Sequence, residues 1–164
     1  MILHLSNRLT GRLKCPISLQ GMQVIQAGRL DAWSGHCFRI GRIEHIIMMN
    51  DASLYTILMP ARGLTSIDSF LKVFLPRVAE VWHRFGAEFD VQNQEIIVLK
   101  RSNRSLIGSM NDAVLATEFH FEFTREESHS FGPTNIEERL NMVPYKALKY
   151  KAPFEVLPKL LGKG

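Results

Sequence analysis

The stretch IEHIIMMN, Ile43 to Asn50, decides the fold class. Ile46, Ile47, Met48 and Met49 form an unbroken apolar run, and a strand that alternates a dry face with a wet one cannot be written that way. The run Leu54–Met59, inside SLYTILMP, has the same character, and the polar pair Asn50-Asp51 lies between the two. The pattern predicts an antiparallel hairpin, Ile43–Met49 with Leu54–Met59. His36–Arg42 adds a third strand entering at Cys37 or Phe38. Strands this apolar need cover on their second face as well, so helices must pack against the sheet.

The sequence supplies them. SIDSFLKVFLPRVAEVWHRF places Ile67, Phe70, Leu71, Phe74, Val78, Val81, Trp82 and Phe85 at helical spacing. Thr65 or Ser66 can cap this helix, Asp68 suits its first turn, and Gly86 ends it. Pro76 predicts a kink or a division. Residues 95–100, EIIVLK, read as a further strand. From Leu106, the residues Met110, Ala113, Val114, Thr117 and Phe121 recur at intervals of three and four, a second helical stripe. Arg125–Pro133 reads as a polar loop, Asn135–Met142 as a short helix capped by Thr134 and stopped by Pro144. Pro153 opens a last short helix that ends at Gly162. At the other end, MILHLSN reads as a strand leading into a brief helix, Asn7–Lys14, stopped by Pro16. Ile17–Ser34 keeps no period and reads as a surface excursion. The expectation is one α+β domain over residues 1–164, with a mainly antiparallel sheet covered by helices on at least one face.

Composition narrows the class. With 46% apolar and 22% charged residues among 164, the chain is that of a soluble globular protein rather than a disordered tail. No apolar run reaches the roughly 18 residues that span a bilayer, and the N-terminal apolar run is too short for a signal-peptide core. Cytoplasmic residence without membrane contact is the expectation. Cys15 and Cys37 lack metal-ligand or CxxC spacing and read as buried thiols. The net charge of +4 is spread along the chain, which permits an anionic partner without requiring one.

Chemistry concentrates at KRSNRSLIGSMND, Lys100–Asp112. A polar, cation-rich loop between a strand and a helix has the parts of an anion site. The first helical N–H groups lack intrahelical partners, and the dipole favours negative charge there. Arg101 and Arg104 bring forked donors, with Asn103, Ser105 and Ser109 adding hydrogen bonds. Asn111 and Asp112, one turn on, can orient the arginines. Gly108 admits a ligand or lets the helix pack tightly. The structural alternative is that Ser102 or Asn103 simply caps the helix. The loop is not a P-loop, because GxxxxGK[ST] is absent. The six histidines, His4, His36, His45, His83, His120 and His129, fall at no metal-ligand spacing. No metal or cofactor is expected. His120, eight residues after Asp112, lies on roughly the same helical face and pairs with it in a catalytic alternative. Met48, Met49, Met59, Trp33 and Trp82 read as core.

The motif RSNRSLIGSMND, together with Trp33, FRIGRIEHIIMMND and LYTILMP, resembles a family of small bacterial proteins known as domain of unknown function 6933. The resemblance covers most of the chain. It implies an α+β domain of prokaryotic or mobile-element origin and brings no assigned reaction. A second stretch, LNMVPYKALKYKAPFEVLPKLL from Leu140 to Leu161, is similar to a segment closing the catalytic domain of some insertion-sequence transposases and integrases. Those enzymes need three spaced carboxylates holding two divalent metals, a pattern absent here, and an unrelated pair of proline-punctuated helices is the favoured reading of the string.

Three functional expectations follow. The first is a non-enzymatic bacterial module, in a mobile-element, defence or toxin–antitoxin setting, that binds an anionic (phosphate or nucleic-acid) or protein partner through residues 101–112. The second is a small hydrolase or nuclease with Arg101 and Arg104 as charge clamps and Asp112 and His120 as acid/base groups. The third is a structural homo-oligomer that uses the apolar hairpin as its dimer face.

Overall fold

The computed structural model describes residues 1–16, 30–126 and 133–162. Its elements in order are β1 (Ile2–Leu5), α1 (Asn7–Leu13), β2 (Ala32–Ile40), β3 (Ile43–Asn50), β4 (Thr56–Pro60), α2 (Ile67–Arg84), β5 (Ile97–Lys100), α3 (Arg104–Glu126), α4 (Pro133–Met142), a 3₁₀ turn (Lys146–Leu148) and α5 (Pro153–Leu160). The strands form one sheet in the order β4-β3-β2-β1-β5.

β2, β3 and β4 pair antiparallel, as the hairpin pattern requires. β1, however, pairs parallel with β2 on one side and with β5 on the other. The sheet is therefore mixed and not mainly antiparallel. The physical reason lies in the connections. A turn of a few residues returns the chain antiparallel, whereas parallel neighbours need a crossover of a dozen residues or more. The 26 residues between β1 and β2 exceed that length, and β5 is reached from β4 through the long helix α2.

The apolar strands are dry on both faces. Ile46 and Met48 of β3 join Leu3, Leu5, Leu9, Leu13, Trp33, Phe70, Phe74 and Val78 in one core, under α1, α2 and α5. Ile47 and Met49, the alternate residues, join Phe38, Leu106, Met110, Ile136 and Leu140 in a second core, under α3 and α4. Two faces of cover explain why no alternation was visible in IEHIIMMN. They also leave neither face of the hairpin open to a second copy. Trp33 sits edge-on to Phe74 at 5.3 Å and against Trp82 at 5.8 Å, inside the first core.

Several boundaries differ from the sequence pattern. β2 begins at Ala32 rather than near Cys37, so Trp33, Ser34 and Gly35 are strand residues. Gly35 permits a close approach there: a Cβ would stand 2.6 Å from Met48 Sδ and 2.8 Å from Leu5 Cδ2. α2 is not divided at Pro76. Pro76 and Lys72, whose carbonyl loses its helical partner, are both exposed, so water can satisfy it. Ser66 caps this helix, accepting from the Ser69 N–H at 3.1 Å. Most of the excursion Ile17–Ser34 and of the loop Arg125–Pro133, with His129, lies outside the described residues.

Candidate functional site

Adjacent parallel strands whose outgoing helices cover opposite faces leave a crevice beyond their carboxyl ends. β1 and β5 meet that condition. α1, which follows β1, packs into the first core through Leu9 and Leu13. α3, which follows β5, packs into the second core through Leu106 and Met110. That rule places a crevice between Ser6–Arg8, after β1, and Arg101–Arg104, after β5. The cation-rich β5–α3 junction stands at its lip.

Arg101 continues the β5 ladder, its N–H donating to Leu5 O at 3.2 Å. Its guanidinium is half-buried, and Nη1 donates to the sulfur of Met110, 3.1 Å away. Among the described residues no carboxylate pairs with it, and burial pulls its pKa down from the usual arginine value. A cation in this position is underneutralised. His36, across β1 from it, feels the consequence. Burial together with the charges of Arg101 and Arg8 lowers the imidazole to about 4, and its Nδ1 lies 2.9 Å from Ser6 Oγ. Arg8 is itself paired to Glu44 at 2.8 Å, and Arg12 pairs with the other oxygen of the same carboxylate.

The remaining sequence-derived candidates divide. Asn103 caps α3, its Oδ1 accepting from the N–H groups of Ser105 at 3.1 Å and Leu106 at 3.2 Å, so the capping reading holds for this residue. Arg104 and Ser105 are exposed on the first turn, and Asn111 and Asp112 on the third, while Ser109 is buried against the sheet. Asp112 pairs with neither arginine. It lies eight residues from Arg104, about 12 Å along a helix axis, and its charge acts instead on Tyr145, whose hydroxyl is pushed up to about 12 chiefly by burial. The same spacing separates Asp112 from His120, which lines a different groove with Glu138, Arg139 and Met142. Residues two turns apart share a helix face without meeting. Gly108 is exposed with nothing within 4 Å of a built Cβ, so tight packing is not its role.

Four polar residues that the sequence did not single out lie beneath the α3 start. His4 and Ser34 are opposite one another in the β1–β2 register, and His36 is two residues further along β2, so all three project towards α3. Asp51, in the β3–β4 turn, holds His4 Nδ1 at 2.8 Å and accepts the Ser34 hydroxyl at 2.9 Å. Asp51 also lines a small notch of about 100 Å³ with Asn103, Ser105, Ser109 and Leu148. Their one signal in the sequence is the alternation of His4 and Ser6, and of Ser34 and His36, within otherwise apolar strands. Among the described residues, no three His, Cys, Asp or Glu side chains gather as a metal site, and no helix is long and apolar enough to cross a membrane.

A family model described as a domain of unknown function, DUF6933, matches residues 2–156. The chain belongs to that family. No curated protein matches it. The match takes in every residue of the crevice, and most of the transposase-like tail. In this DUF6933 chain, Asn141 of that tail is structural, since its amide bonds the main chain of Thr56.

Proposed function

We propose that this DUF6933 protein is a binding module that seats an anionic group of its partner, a phosphate above all, in the crevice between β1 and the β5–α3 junction. The observation that carries the reading is Arg101: a half-buried guanidinium whose side chain, among the described residues, meets a thioether and no carboxylate. An incoming phosphate supplies the bidentate acceptor that the protein withholds. Arg104 and Ser105, exposed at the helix start, add a second cation and a hydroxyl at the rim. Asn111 and Asp112, exposed further along α3, shape the partner's approach, while Ser109 is buried beneath them. Phosphates of a nucleic-acid backbone are one source of the group. A bacterial, cytoplasmic setting in mobile-element, defence or toxin–antitoxin loci belongs to this proposal by family analogy.

The test is a titration of the ¹⁵N-labelled chain with inorganic phosphate. Shifts should concentrate at the Arg101 side chain and the amides of residues 102–105, and Arg101→Gln should abolish them without loss of fold. A short single-stranded oligonucleotide, bound in a salt-dependent way by the same residues, identifies nucleic acid as the source. Equal binding by Arg101→Gln, or no phosphate shifts at all, sinks the reading.

A further inference from the structure

Binding an anion accounts for Arg101 but not for the group beside it. His4 and Asp51 form a buried-carboxylate–imidazole pair at 2.8 Å, with the Asp51 side chain 4% exposed and that of His4 18% exposed. The second Asp51 oxygen is taken by Ser34. A carboxylate on Nδ1 fixes both the tautomer and the ring orientation and directs Nε2 outward. Nε2 has no hydrogen-bonding partner among the described residues, and it is not sealed from solvent. The turn does not need His4 to hold it, because Asp51 N–H already donates to Ala32 O at 2.9 Å and Asn50 ties Ala52 and Ser53.

The register brings this imidazole to the anion site. Leu99 on β5 lies opposite His4, and Arg101 follows two residues later on the same face. Strand geometry therefore sets the Cα atoms of His4 and Arg101 about 8 Å apart.

We propose that His4, oriented by Asp51, is the catalytic base for hydrolysis of a phosphate ester whose phosphoryl group rests on Arg101. This deepens the anion-site reading and depends on it. Nε2 of the neutral imidazole takes a proton from water as the water oxygen bonds to phosphorus. The ester P–O bond breaks on the side opposite the water, its electron pair leaves on the alcohol oxygen, that oxygen takes a proton from solvent, and the imidazolium gives its own proton to solvent. An alcohol and phosphate result, and His4 is again neutral. Arg101 stabilises the charge on the non-bridging oxygens. Asp51 is a positioning residue: it stabilises the imidazolium without taking up the proton.

The experiment uses the full chain with p-nitrophenyl phosphate and bis(p-nitrophenyl) phosphate as probes, and calorimetry with inorganic phosphate alongside. Wild-type protein should turn over at least one ester. His4→Gln should lower kcat by about 100-fold or more and leave phosphate affinity unchanged. Asp51→Asn, which keeps hydrogen bonds available to His4 and Ser34, should lower kcat at unchanged KM. Arg101→Gln should lose both turnover and phosphate binding. Phosphate binding by a wild-type protein that hydrolyses neither ester overturns the proposal and leaves the anion site standing. So does full activity in His4→Gln. His4-dependent turnover without Arg101-dependent binding supports the role of His4 and overturns the anion site.

Discussion

Asn141 of α4 docks on the main chain of Thr56 as a neighbouring strand would. Its Oδ1 accepts from the Thr56 N–H at 2.7 Å, and its Nδ2 donates to the Thr56 carbonyl at 2.8 Å. One turn earlier, Glu137 accepts from the Leu58 N–H at 2.9 Å while Arg77 of α2 clamps its carboxylate. Two side chains of one helix thereby close the outer edge of β4, a position that otherwise presents unpaired main-chain groups to other chains.

Replacing Asn141 with Ala removes both bonds and leaves buried main-chain groups unsatisfied. The variant should lose about 2–4 kcal/mol of stability. Urea unfolding gives that figure, and light scattering should show new self-association through the uncovered edge. A loss below about 0.5 kcal/mol would show that water replaces the amide.

His36 and His45 make stability fall with acid. Burial lowers both imidazoles, and for His36 the charges of Arg101 and Arg8 bring it to about 4. The folded state then keeps them neutral while the unfolded chain protonates below about 6.5. Because the unfolded state binds more protons, the stability they contribute is present above that pH. For His36 it drains away as the pH falls to about 4. Melting temperatures from pH 8 to pH 4.5 should fall less steeply in His36→Gln than in the wild type. Parallel curves for the two proteins count against the assignment.

Arg101 should be dispensable for the fold. Its guanidinium is half-buried against Met110 without a carboxylate among the described residues, so Arg101→Met relieves desolvation and keeps the alkyl packing. Thermal unfolding should show stability unchanged or raised by up to about 1 kcal/mol. A loss of more than about 1.5 kcal/mol would mark Arg101 as a structural residue.

Two glycines should respond in opposite directions to the same change. Gly35→Ala drives a methyl into Met48 and Leu5 between β2 and α1 and should cost about 1–3 kcal/mol. Gly108→Ala places a methyl in open space on α3 and should stabilise by about 0.5–1 kcal/mol. Chemical denaturation of the two variants side by side checks both signs.

The hairpin, the long α2 helix with its Ser66 cap and the α3 stripe were legible because each rests on local periodicity or turn chemistry. Arg101 and Asn103 were legible as candidates for the same reason, being polar residues crowded at a strand-to-helix junction. His4, Ser34, His36 and Asp51 were not. They come from two strands and a turn, and each one singly looks like an ordinary strand or turn residue. A shared helical face puts Asp112 and His120 at similar angles but says nothing of the rise that separates them, and closeness in sequence does not bring Asp112 to Arg104 or Arg101.

The amino-acid sequence by itself determined that strands too apolar to face water must be covered on both faces, with at least one cover helical, since continuous Ile and Met runs leave no side of the strand fit for solvent. It also determined where the cations gather. Only the tertiary structure decided that β1 runs parallel between β2 and β5, because crossovers place strands through long-range packing that no local pattern encodes. That one placement opens the crevice between β1 and β5, sets Arg101 on the same face as His36, and brings His4 to Asp51.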